Sequence, residues 1–253
     1  MHIVEISSTQ NDLVKYCVKL QNSKFRKEEK LILLDGQKTI NGLIDDGVVF
    51  EYFFAKKENP LIKKVNSKNI ICVNDEILKK ISTTKTPTDS VGIIKEPTVE
   101  FSDFYNLKKI ALIDGVKDAG NLGTIIRSAC AFCVEGIILF NDCVDLYNSK
   151  TIRAAAQNMF KIPLIATYDV DFIKKLKKNH KLISTVVDSY VEISQCKFGE
   201  NYMLAFGSEA DGISKTIYDI SDEKITLKMN NDVESLNLGV CASIVFALIR
   251  YLK

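Results

Sequence analysis

Residues 108–127 read KKIALIDGVKDAGNLGTIIR, and their order decides the fold class. Lys108–Asp114 is an apolar run of strand length, ended by Asp114-Gly115. A glycine-bearing loop, 115–123, follows, and Thr124–Phe132 takes up helical spacing. Strand, tight loop and helix make the repeating unit of a parallel α/β sheet. The pattern recurs downstream. Gly136–Phe140, Leu164–Ala166, Leu182–Val187, Tyr202–Phe206 and Ile225–Met229 are predicted strands, and Ser149–Phe160 is a predicted helix. Continuous apolar strands between helices imply a sheet covered on both faces. Ser235–Leu252 is apolar nearly all round and is expected to be packed on most sides.

Upstream, Asn11–Leu20 and Gln37–Asp45 have helical spacing, and Lys30–Leu34, Val48–Ala55 and Asn69–Val73 read as strands. They describe a second, smaller α/β unit. Residues 82–108 carry Ser, Thr and two Pro, and read as a linker with one strand near Ser90–Ile94. The expected domains are 1–97 and 108–253, joined by 98–107.

The 253 residues are 46% hydrophobic and 26% charged, which excludes collagen-like and broadly disordered chains. Net charge is only +2, so bulk charge does not single out nucleic acid. Residues 15–30 are locally basic, with Lys15, Lys19, Lys24, Arg26, Lys27 and Lys30 against Glu28 and Glu29. No apolar run is long enough to span a membrane, and MHIVEISSTQ lacks the pattern of a signal peptide. Seven scattered Cys suit small buried hydrophobes in a reducing compartment. Cys130-x-x-Cys133 lacks a second ligand pair. Only His2 and His180 are available for a catalytic triad or a His-rich metal site, and His180 lies in the lysine run 174–181, read as a solvated helix end.

Three loops can carry chemistry. In 114–127, Gly120 and Gly123 permit a tight turn into a helix whose N-terminus can hold an anion. The spacing is neither a Walker P-loop nor GxGxxG, though Asp142 at the end of the next strand keeps a dinucleotide site open. Arg127 is one of four Arg among 34 basic residues, which suggests a need for a planar, forked donor. The second loop is FGSEADGIS, 206–214. The third is ITLKMNNDVESLNL, 225–238, where Ser235 is a candidate helix cap. Loops at the carboxyl ends of parallel strands make a ligand cleft.

Together these loops resemble the three motifs of the SpoU/TrmH family of RNA ribose 2′-O-methyltransferases, in the SPOUT superfamily. The first motif, D-x-x-x-D-P-x-N-x-G-x-x-x-R, is met by Asp114, Asp118, Asn121, Gly123 and Arg127, with Ala119 in place of Pro. The second, G-N-E-G-x-G-[LI]-S, is met by Gly207, Glu209, Gly212, Ile213 and Ser214, with Ser208 in place of Asn and Ala210 in place of Gly. The third, I-P-M then S-L-N, corresponds to Leu227-Lys228-Met229 and Ser235-Leu236-Asn237. Arg153 stands in a segment similar to the family's R-A-S-x-G, with Ala155 and Gln157 as departures. ISSTQNDLVKYCVKL and ISTTKTPTDSVGII resemble parts of the family's substrate-binding domain.

The resemblance implies a mostly parallel SPOUT domain with a trefoil knot, after a small α/β domain built like a ribosomal RNA-binding protein. It implies methyl transfer from S-adenosylmethionine (AdoMet) to RNA, ribosomal RNA before transfer RNA, by a cytoplasmic homodimer without metal. Arg127, Asn121 and Glu209 are the expected catalytic residues. Gly207, Leu227, Met229, Ser235, Leu236 and Asn237 are expected to bind AdoMet. Lys15, Lys24, Arg26 and Arg153 are expected RNA contacts. Two rivals remain: a Rossmann-type nucleotide-binding protein, and a relic of the same family that binds RNA without transferring methyl.

Overall fold

The computed structural model describes residues 2–84, 86, 88–187, 189, 191–230, 232 and 235–251. They form two compact units, 1–97 with 147–157, and 98–146 with 158–253. The segment 147–157, expected in the second domain, is part of the first.

The first unit runs β1 (His2–Ile6), α1 (Asp12–Lys19), α2 (Ser23–Glu29), β2 (Leu31–Leu34), α3 (Gln37–Asp45), β3 (Val49–Ala55), β4 (Asn66–Val73), α4 (Asp75–Ile81) and β5 (Ser90–Lys95). Its sheet has the order β1-β4-β3-β5-β2, with β5 antiparallel to both neighbours. The strand expected inside a linker is thus an interior strand. Its residues Ser90–Ile94 are all buried, and Gly92 is required because a Cβ there would lie 2.5 Å from the Phe50 ring. The edge strand β1 and helix α2 were not expected from sequence. α2 starts because the Asn22 side chain accepts from Lys24 N at 2.9 Å.

The second unit contains β6 (Lys109–Asp114), α5 (Ala119–Ala131) and β7 (Gly136–Phe140). The chain then makes α6 (Ser149–Ala155), in the first unit, before β8 (Leu164–Thr167), α7 (Val170–Lys177), β9 (Lys181–Thr185), β10 (Tyr202–Phe206), α8 (Lys215–Ile220), β11 (Glu223–Ile225) and α9 (Leu238–Tyr251). All pairings are parallel, in the order β11-β9-β10-β6-β7-β8. Ile110, Leu112, Ile138, Met203 and Phe172 share one core cluster, and Phe101 stacks on Phe172 at 4.0 Å. Phe206 meets Phe246 of α9 edge-on at 5.3 Å, and α5 packs with α9. Each such side chain removed from water stabilises the fold by about 1.5–3 kcal/mol.

Three polar residues differ from their sequence reading. His180 is 3% exposed rather than solvated. Its ring nitrogens lie 2.9 Å from Leu176 O and 2.6 Å from Leu107 O, joining the end of α7 to the start of β6. Arg26, expected on RNA, is buried, and its Nη1 donates to Leu20 O and Gln21 O at 2.8 and 2.9 Å. It ties down the two carbonyls that follow α1. Arg153 is likewise engaged within the first unit. Its Nη1 lies 3.3 Å from Asp35 Oδ1 and donates to Thr83 Oγ1 at 2.8 Å. Asp35 is almost fully buried and also accepts from Thr83 N at 2.6 Å. Gln157 lies against α3, where a Cβ on Gly42 would overlap its amide.

Arg153→Ala leaves Asp35 buried with one charged partner fewer. In urea it is expected to lower the stability of the first unit by about 2 kcal/mol, the scale of a hydrogen bond to a charged group. An unchanged unfolding midpoint would mean that α6 is held by its apolar contacts alone.

Candidate active site

The site is built where β6, β9, β10 and β11 end, because these four strands are neighbours in the sheet and point the same way. After β6, Asp118 accepts from Asn121 N at 2.9 Å and starts α5 at Ala119, earlier than the expected Thr124. Asn121 therefore sits in the first turn of the helix. After β10 the chain folds back on itself. Ser208 N donates to Gly212 O at 3.0 Å, and Gly212 N to Ser208 O at 3.1 Å. Gly212 has φ +67°, and a Cβ on Gly207 would fall 2.0 Å from the Gly212 carbonyl carbon, so both need glycine. After β11, residues 226–229 leave the sheet, where a longer strand was expected. Asn237 rather than Ser235 then caps α9, with its Oδ1 accepting from Val240 N at 3.2 Å.

One relay joins the three loops. Glu209 accepts from Asn121 Nδ2, and Asn121 Oδ1 accepts from Asn237 Nδ2 at 2.8 Å. The ionised carboxylate can only accept. It therefore turns the Asn121 amide nitrogen towards itself and the oxygen towards Asn237. That in turn aims the Asn237 oxygen at the start of α9.

Beside the relay lies a cleft of about 590 Å³. Small-molecule clefts span about 300–1,000 Å³. Gly207, Leu227, Met229, Ser235, Leu236 and Asn237, the six residues expected to bind AdoMet, all line it, and so does Glu209. Sequence reading missed one wall, formed by Thr185, Val186, Val187 and Ile193 next to β9, and the floor residues Cys241 and Val245 of α9. The only local signal was that an apolar strand ends at Thr185. Burial pushes the Cys241 thiol above its ordinary range, so it lines the cleft as a neutral group. At the rim, Lys228, which replaces the motif's Pro, pairs with Glu192 at 3.2 Å.

Arg127 is not brought into this cleft. It is exposed and has no hydrogen-bond or ion-pair partner among the described residues. Six residues beyond Asn121, it points about 120° away around α5. Lys15 is exposed and 3.3 Å from Asp12, and Lys24 is exposed. Asp142, the residue that kept a dinucleotide site open, is exposed and pairs with Lys117 at 2.7 Å, which holds its carboxyl below the usual range. It does not line the cleft. Among the described residues no cluster of three or more His, Cys, Asp or Glu could hold a metal, and no helix is long and apolar enough to cross a membrane.

Residues 108–247 match the SpoU rRNA methylase family, more than half of the chain. The chain belongs to the SpoU rRNA methylase family. Residues 11–92 match an MRM3-like substrate-binding domain. This SpoU-family chain is 29% identical to a Synechocystis protein described as an uncharacterized tRNA/rRNA methyltransferase, over 96% of this chain and 92% of that one. It is 25% identical to the Bacillus subtilis 23S rRNA (guanosine(2553)-2′-O)-methyltransferase RlmP, over 97% and 99%. Its fold is that of the AdoMet-bound rRNA methyltransferase of Sinorhizobium meliloti, with TM-score 0.88, 24% identity and 99% of each chain covered.

Gly207→Ala is expected to open the 207–212 turn, since the added methyl meets backbone and not a movable side chain. Amide hydrogen exchange over 207–213 should accelerate at least about tenfold, with the β10 amides unchanged. Equal protection in both proteins would show that the turn accommodates a Cβ.

Proposed function

We propose that this SpoU-family chain transfers the methyl group of AdoMet to a ribose 2′-hydroxyl of RNA, with large-subunit ribosomal RNA ahead of transfer RNA. The observation that carries the reading is the relay through Asn121, Glu209 and Asn237 beside a cleft lined by every residue expected to bind AdoMet. The cleft suits AdoMet chemically. Val186, Ile193 and Val245 offer apolar surface to an adenine, and Glu209 and the backbone near Gly207 and Leu227 offer polar groups. The names of its full-length relatives, methyltransferases of ribosomal RNA among them, support the substrate class.

AdoMet supplies a methyl on a sulfonium, whose sulfur leaves neutral and needs no acid. The transfer releases the hydroxyl proton, which passes to solvent water, so the chain has to place the 2′-hydroxyl in line and stabilise the negative charge that its oxygen gains as the proton leaves. Arg127 suits the second task as a forked cation holding the ribose and an adjacent phosphate. It does not suit the role of base, since a free guanidine is costly near neutral pH at an ordinary pKa of about 12.5–13.8. Its place outside its own cleft fits a shared site in which a second copy supplies Arg127. The dimer proposed here forms through the second domain, whose α9 exposes Val240 and Tyr251. Lys15 and Lys24 on the first domain are proposed phosphate contacts. The seven cysteines are all unpaired, which suits a cytoplasmic protein.

AdoMet is expected to bind the purified protein with or without a chelator, and calorimetry that shows no heat would favour the RNA-binding relic. Labelled methyl should pass to extracted ribosomal RNA lacking the modification. Arg127→Lys keeps the charge and loses the fork, so single-turnover transfer should fall about a hundredfold with AdoMet affinity intact.

Mixing Arg127→Ala with Glu209→Ala tests the shared site. Half of the random dimers are mixed and each has one complete site, so activity should recover to about a quarter of wild type. No recovery on mixing would place Arg127 and Glu209 in the same chain's site.

A further inference from the structure

Asp114 ends β6 and is 2% exposed. Both of its oxygens are used. Oδ2 accepts from Ser214 N at 2.7 Å, and Oδ1 accepts from Asn141 Nδ2 at 2.5 Å. Ser214 closes the second loop and caps α8. Asn141 follows β7 with φ +61°, a left-handed turn that Asn tolerates. One buried carboxylate therefore fastens the second loop and the end of β7 to the end of β6, the strand that feeds Asn121.

The consequence reaches the relay. The Ser208–Gly212 backbone pair closes residues 207–212 on themselves, and a closed turn can pivot as a body. Two contacts prevent this. At the Glu209 end it is the bond from Asn121, at the cleft surface. At the Ser214 end it is the bond to Asp114, in the interior, where a charge-assisted hydrogen bond is stronger and its loss leaves a donor unmet. Ser208 lies alongside Gly115, the residue after Asp114, so the first and second loops run side by side where they leave the sheet.

We infer that Asp114 is a positioning residue. It touches nothing in the cleft and sets where Glu209 and Gly207 stand by anchoring the second loop at Ser214. The inference rests on the proposed AdoMet cleft for its effect on activity, and on the hydrogen bonds alone for its effect on the loop.

Three variants and two readouts test it. Asp114→Ala removes both acceptors. Asp114→Asn keeps an acceptor for Ser214 N, and the Asn141 amide can turn to present its oxygen. Ser214→Pro deletes the N–H, at a φ of −61° that proline adopts, and with it the hydroxyl that caps α8, so its exchange is read over 207–213, ahead of that helix. Hydrogen exchange should accelerate at least about tenfold over 207–217 in Asp114→Ala and over 207–213 in Ser214→Pro, and return most of the way to wild type in Asp114→Asn. AdoMet affinity should weaken in the same order, by about tenfold or more in the first two. Wild-type exchange in a folded Asp114→Ala overturns the inference. If that variant does not fold, wild-type exchange over 207–213 in Ser214→Pro overturns it. A wild-type protein that binds no AdoMet refutes the proposed function, and the exchange data still decide the role of Asp114.

Discussion

A carboxylate accepts hydrogen bonds and cannot donate them, and this one property of Glu209 orders the site. It settles which way the Asn121 amide faces, then which way Asn237 faces, then how α9 begins. The three residues are separated by 88 and 116 positions along the chain. Single links of this kind contribute about 0.5–1.5 kcal/mol, or about 1.5–3 kcal/mol where the acceptor is a carboxylate. Their value is geometric, since three loops with independent freedom are given one mutual arrangement.

The sheet makes that arrangement possible. β9 lies between β11 and β10, and β6 lies beside β10, all parallel. Four loops that leave in the same direction from adjacent strands have nowhere to go but past one another. The apolar strands that force burial on both faces are thus also what brings the polar loop residues into one place. Gly207 and Gly212 then let the second loop turn tightly enough to present Glu209 without covering the cleft.

Much of this was legible in the sequence. The three loops that hold Glu209, Asn121 and Asn237 stood out between apolar runs, and the resemblance to the family's motifs singled out these residues within them. The β9 wall was not legible, because Thr185–Val187 carry no charged residue or motif and nothing local says that β9 sits between β10 and β11. The β5 strand was legible near Ser90–Ile94, but the Ser, Thr and Pro around it made it read as part of a linker, although it is an interior strand of the first sheet. The arginines show a subtler limit. Their scarcity among lysines suggested positions that need a forked donor. For Arg26 the partners are the Leu20 and Gln21 carbonyls just past α1, and for Arg153 a buried carboxylate and a threonine, so residue type pointed to an engaged side chain but not to its partner.

The central claim is that the relay and its cleft form a methyl-transfer site for ribosomal RNA. Ribose-methylation mapping of total RNA, from cells with the gene, without it, and with it restored as Glu209→Ala, tests this directly. The account predicts a 2′-O-methyl position in large-subunit ribosomal RNA that is present with the gene, lost without it, and not recovered by the variant. Ribose methylation that is the same in all three would contradict it.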